Sequence, residues 1–116
     1  MRVAMELDSA GHLVCTLSYG QGEAVVTSSQ ASEALADLSA ALDDTARDGC
    51  GECYWLEGGG DYRWMFRRNG DSVQVVVLWC TNPVKGWEQV LWAEGAFEPF
   101  AAQVREELER RRLPAA

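Results

Sequence analysis

The sequence predicts an α+β domain: an antiparallel meander sheet of about five to seven strands with two helices packed on one face. Three observations predict it. Between Tyr54 and Cys80, side chains alternate in period two, and breaks at Gly58-Gly59-Gly60 and Asn69-Gly70 divide the run into three segments. Tight turns at both breaks join these segments antiparallel. Two other stretches, 29–47 and 97–112, carry apolar stripes at helical spacing.

The chain begins with two alternating runs, 2–8 and 12–19, around a turn at Ser9-Ala10-Gly11. Val3, Met5 and Leu7 alternate in the first; Leu13, Cys15 and Leu17 alternate in the second. A short third strand is expected over 23–27. Ser28 and Ser29 then offer N-cap oxygens for a helix over 29–47, with Glu33 in its first turn. Leu35, Leu38 and Leu42 form its stripe, Asp37, Asp43 and Asp44 lie off it, and Gly49 is a natural stop.

The central meander sets the expected core. An Asn69-Gly70 turn of type I′ would pair Arg68 with Asp71, Phe66 with Val73, Trp64 with Val75 and Tyr62 with Val77. A three-residue glycine loop would pair Glu57 with Asp61, Leu56 with Tyr62 and Tyr54 with Trp64. The core face would then hold Tyr54, Leu56, Tyr62, Trp64, Phe66, Val73, Val75 and Val77, under both helices. Trp55 would share the opposite face with Arg63, Met65 and Arg67, where a Trp55–Arg63 stack is expected.

Thr81–Gly86 reads as a loop and Trp87–Ala93 as a further strand ended by Gly95. The last helix starts near Phe97, with Pro99 in its first turn and Phe97, Phe100, Val104 and Leu108 as its stripe. Glu106 with Arg110 and Glu107 with Arg111 stand at favourable i,i+4 spacing. Arg110, Arg111 and Arg112 suit the negative end of the helix.

Composition bounds the function. The 116 residues suit one domain, and 47 % apolar with 24 % charged residues is ordinary globular usage. No apolar run approaches the roughly 20 residues of a membrane span, and the start lacks the apolar run of a signal peptide. The expected location is the cytoplasm. The net charge is −8, with −9 on residues 1–61 and +1 on the remainder. Such a chain repels nucleic acid and attracts basic proteins.

No catalytic constellation is visible, and no cofactor motif. Gly58-Gly59-Gly60 lacks the Lys-Ser/Thr and following helix of a phosphate loop. His12, the one histidine, sits in a turn. Cys50-Gly51-Glu52-Cys53 is the one formal motif. It follows a helix instead of opening one, and Asp48 and Glu52 oppose a thiolate, so redox catalysis is disfavoured. Zinc is an alternative, with Cys50 and Cys53 at knuckle spacing and Cys15, Cys80 or His12 to complete four ligands; so is a Cys50–Cys53 disulfide. Outside an oxidising compartment, free thiols are the default.

Five tryptophans in so short a chain point toward protein recognition. The candidate partner-binding residues are Trp55, Arg63, Met65 and Arg67; the acidic side of the first helix is the alternative surface. The run Trp55 to Val75, with its Gly turn, aromatic–Arg strand Tyr62-Arg63-Trp64-Met65-Phe66-Arg67, Asn69-Gly70-Asp71 turn and valine-rich strand, resembles the central hairpins of small bacterial immunity proteins from polymorphic toxin systems. The resemblance covers the central hairpins alone. It implies a non-enzymatic protein that neutralises another protein by occluding it. A homodimer on the open sheet face is a further expectation.

Overall fold

The computed structural model describes residues 1–110. Its order is β1 (Arg2–Leu7), β2 (Leu13–Tyr19), β3 (Gly22–Ser28), α1 (Ala31–Asp48), β4 (Cys50–Glu57), β5 (Gly60–Asn69), β6 (Ser72–Cys80), β7 (Trp87–Ala96) and α2 (Phe97–Arg110). The class is α+β, with antiparallel sheets. The expectation of a single meander is corrected: there are two sheets, β1-β2-β3 and β4-β5-β6-β7. The reason is α1, which replaces a hairpin between β3 and β4. These strands meet at their C-terminal ends, where Ser29 N–H donates to Leu56 O at 3.2 Å and Ser28 Oγ donates to the same carbonyl at 3.0 Å. The Thr27 hydroxyl bonds the Glu57 carboxylate across the junction. That bond and the Gly58 N–H hold the Glu57 carboxyl below its ordinary range.

The two serines expected to cap α1 are spent on this junction. The N-cap position is Gln30, without a side-chain cap. Ser28 Oγ accepts the Gln30 N–H at 3.1 Å, so one serine bridges the helix start to β4. At the other end Gly49 takes φ 87° and donates to Thr45 O, closing the helix with a left-handed cap.

Both central registers differ from those read in the sequence. In β5–β6 the closing pair is Asn69–Ser72, so Gly70 and Asp71 form the loop. Only Gly70 has positive φ, 62°, which is the type II′ pattern and not I′. The shift is two residues, so Phe66 pairs with Val75 and Trp64 with Val77, and every face is kept. In β4–β5 the loop is Gly58-Gly59, and Gly60 belongs to the strand opposite Glu57. A Cβ at Gly60 would lie 2.2 Å from Cys80 O, so this ladder position needs glycine. That shift is one residue, and it inverts β4. Cys53 and Trp55 enter the core, and Tyr54 and Leu56 face out.

Buried residues from both sheets and both helices form one hydrophobic cluster. Trp55 and Trp64 lie at its centre, with ring centroids 4.9 Å apart. The Trp55 indole N–H donates to Ala34 O in α1 at 3.1 Å. The Phe66 ring meets Phe100 of α2 at 6.1 Å. α2 also closes the outer edge of β1. Val3 N–H donates to Gln103 Oε1 and Met5 N–H to Glu107 Oε2, both at 3.2 Å, while Gln103 Nε2 donates to Met1 O. Gln103 thereby offers β1 a donor and an acceptor, as a neighbouring strand would.

Arg110 pairs with Glu106 at 3.0 Å and Glu107 at 3.2 Å. The arginines at 111 and 112 lie outside the described residues. Among the described residues no helix is long and apolar enough to cross a membrane.

Candidate functional site

With its inner face spent on the core, the sheet β4-β5-β6-β7 presents its other face to solvent. Strand alternation assigns Glu52, Tyr54 and Leu56 of β4 to it, beside Arg63, Met65 and Arg67 of β5 and Val76 and Leu78 of β6. Plain alternation would split Trp87 from Trp92, which are five residues apart, onto opposite faces. A β-bulge between Val77 and Leu78 shifts the register: Trp92 stands opposite Val76, Gln89 opposite Leu78 and Trp87 opposite Cys80. One extra residue in β7 turns both tryptophans outward. Tyr54, Leu56, Trp87 and Trp92 are each 42–51 % exposed.

Arg63 ties this face together. Its Nη2 and Nε reach Glu52 Oε2 at 2.7 and 3.1 Å, and its guanidinium lies 5.7 Å from the Tyr54 ring centroid. The hydrogen bond to Glu52 holds it more firmly protonated. Tyr54 in turn meets Trp87, with centroids 6.3 Å apart and planes tilted by 53°. The result is an aromatic and aliphatic surface with a cation fixed against one of its rings, a composition enriched at protein interfaces.

Arg63 and Met65 hold the positions expected of them. Arg67 is exposed in an open groove of about 810 Å³, with Met65, Cys50 and Glu52 in its lining and Asp44 and Asp48 on its rim. Trp55 does not belong to the site. It is fully buried, and Tyr54, one residue earlier, takes the stacking role on Arg63. Leu56, Trp87 and Trp92 are members that alternation alone could not assign, because the register of β4 and the bulge of β7 decide them.

The four cysteine sulfurs are not brought together. Cys50 and Cys53 are three residues apart on one strand, so they project from opposite faces of β4: Cys50 exposed, Cys53 buried. Cys15 is buried in the other sheet, and Cys80 Sγ donates to Asn82 O at 3.3 Å. All four are free thiols. Among the described residues, no group of three or more His, Cys, Asp and Glu is placed to hold a metal ion.

Burial pushes the Cys15 and Cys53 thiols up to about 12, helped by Glu107 in the first case and by Asp37 and Glu52 in the second. At pH ~8 roughly one such thiol in 10⁴ is a thiolate. A thiol-reactive dye at that pH is therefore expected to label Cys50 first, and Cys15 and Cys53 only on unfolding. Rapid labelling of all four in the native protein would contradict this packing.

α1 carries the alternative surface. Glu33, Asp37, Asp43 and Asp48 are exposed along it, with Asp44 and Asp48 held by Arg47 at 2.6 and 3.1 Å and Asp43 3.9 Å from Arg105. No protein-family model, curated protein or solved structure matches this chain.

Proposed function

We propose that this chain is a non-enzymatic binding protein that occludes a partner protein, in the manner of the immunity proteins its central hairpins resemble. The contact surface is the open face of β4-β5-β6-β7. The observation that carries the reading is the outward placement of Tyr54, Leu56, Trp87 and Trp92, four large apolar side chains, half exposed, on the face opposite the core, with Tyr54 set against both Arg63 and Trp87. Exposed tryptophan and tyrosine are costly to keep in water and, with arginine, are enriched at binding hot spots. The net charge of −8 favours a basic partner and speeds its encounter. Free thiols fit the reducing cytoplasm as the place of action.

The test is affinity capture from the native host with three baits: the wild type, Tyr54→Ala/Trp87→Ala, and the distant control Val25→Ala on β3, which is likewise half exposed. One protein is expected with the wild type and the control, and its own activity should fall when the chain is added back. The double variant should bind it at least tenfold more weakly, since interface hot spots each contribute about 2 kcal/mol or more. Equal capture by all three baits would remove this face from the reading. Capture of nothing above background would remove the reading itself.

A further inference from the structure

On the occlusion reading above, on which this step rests, we propose that the partner protein docks a lysine or arginine side chain in the groove between the end of α1 and the open sheet face. Its stem lies on Met65 and Val76, and its charge lies beside Asp44 and Asp48. The groove, of about 810 Å³, is built from two surfaces at once: Asp44 and Asp48 come from α1, and Glu52, Met65, Arg67 and Val76 from the sheet. The acidic side of the helix and the apolar side of the strands are there one continuous surface.

The floor is a single row of the ladder. Glu52 pairs with Met65, Met65 with Val76 and Val76 with Trp92, so the row crosses all four strands. Met65 and Val76 are half-buried, and Trp92 is 47 % exposed. The apolar strip therefore links the groove to the exposed aromatic side chains of the same face.

The charges on the walls select the occupant. Asp44 and Asp48 share the Arg47 guanidinium, at 2.6 and 3.1 Å, which leaves one negative charge over at the helix end. These pairs are exposed and hold weakly. The negative end of the α1 dipole lies at the same spot, by the Gly49 cap. Glu52 is neutralised by Arg63 at 2.7 Å. Arg67 stands across the β4–β5 ladder from Cys50 and pushes a cation off the sheet toward α1. A carboxylate in the groove would meet Asp44 and Asp48 and the field of a chain carrying −8. A lysine or arginine fits both halves, since its alkyl stem covers apolar surface while its head stays at the wet rim.

Three capped tetrapeptides test it: Leu-Lys-Leu-Lys, Leu-Glu-Leu-Glu and Gly-Lys-Gly-Lys. Each is titrated to about 5 mM into the isotope-labelled full chain at about 20 mM NaCl, and amide chemical shifts are followed. Leu-Lys-Leu-Lys is expected to shift Gly49, Gly51 and Gln74, which line the groove, with a Kd of roughly 1 mM. The glutamate peptide should shift none of them. Gly-Lys-Gly-Lys, which has no apolar side chain, should bind roughly threefold more weakly or worse. Asp44→Asn/Asp48→Asn should weaken Leu-Lys-Leu-Lys about fivefold while circular dichroism stays native. Glu33→Gln/Asp37→Gln removes the same charge about two turns upstream on α1 and should change binding by less than about twofold. No shift with Leu-Lys-Leu-Lys, equal binding of either other peptide, or equal losses in the two double variants overturns the proposal. None of these arms uses Tyr54 or Trp87. The groove can therefore fail while partner capture by those residues stands, and capture can fail while the groove still takes the peptide.

Discussion

Trp55→Ala is expected to destabilise the protein by about 3–5 kcal/mol, the range for deleting a buried aromatic side chain. For a chain of this size that is a fall in Tm of roughly 12–20 °C. Trp55 is fully buried, its ring packs on Trp64, and its N–H donates to Ala34 O, so the deletion opens a cavity between β4 and α1. Trp55→Phe should cost much less, because the helix ladder still occupies the Ala34 carbonyl when the indole is gone. Trp87→Ala, on the open face, should stay within about 0.5 kcal/mol. Urea unfolding followed by circular dichroism separates the three. Equal, small losses for Trp55→Ala and Trp87→Ala would place Trp55 on the surface and reinstate the register read from the sequence.

Gly51→Ala is expected to cost about 1–3 kcal/mol, the range for forcing an extra methyl into a packed site. Its Cβ would lie 2.2 Å from Ala41 O and 2.6 Å from Thr45 Oγ1. Neither can retreat cheaply: the first is helix backbone, and the Thr45 hydroxyl donates to that same carbonyl at 2.7 Å. The side chain must push α1 off β4. Gly59→Ala makes the control, since nothing lies within 4 Å of its Cβ and its φ is not positive. It should be neutral or stabilising by about 0.4–1 kcal/mol, through the unfolded chain. Thermal unfolding of the pair settles the matter, and equal Tm values would mean that α1 does not sit this close.

Element type was legible wherever periodicity was long. α1 and α2 read correctly from their stripes, and seven strands lie at the upper end of the expected five to seven. What the alternation of β4 could not carry was phase. Tyr54-Trp55-Leu56 offers an apolar side chain to either face, so hydrophobicity alone does not choose. The choice rests on Gly60, which must be in the ladder because Cys80 O leaves no room for a Cβ, and that contact is remote in sequence. The site inherited the error: Arg63, Met65 and Arg67 were placed correctly from β5, while Trp55 was exchanged for Tyr54. Trp87 and Trp92 depended on a bulge with no local signature. The Cys50–Cys53 motif was legible as spacing, but its meaning hung on β4 beginning at Cys50, where three residues of strand drive two thiols apart.

The bracket that α2 places on β1 also orders the birth of the molecule. Val3 is separated from Gln103 by 100 residues and Met5 from Glu107 by 102. At a synthesis rate of about 5–20 residues per second, the first strand waits roughly 5–20 s for the helix that shields it. Through that interval its row of unpaired amides is a template for any neighbouring nascent chain. Long-range closure of this kind also slows the final folding step, since the loop entropy is spent before the contacts form. A polysome crowded with this message therefore presents many bare first strands at once, and chaperone demand should track the time to emergence of Gln103 and not the length of the transcript.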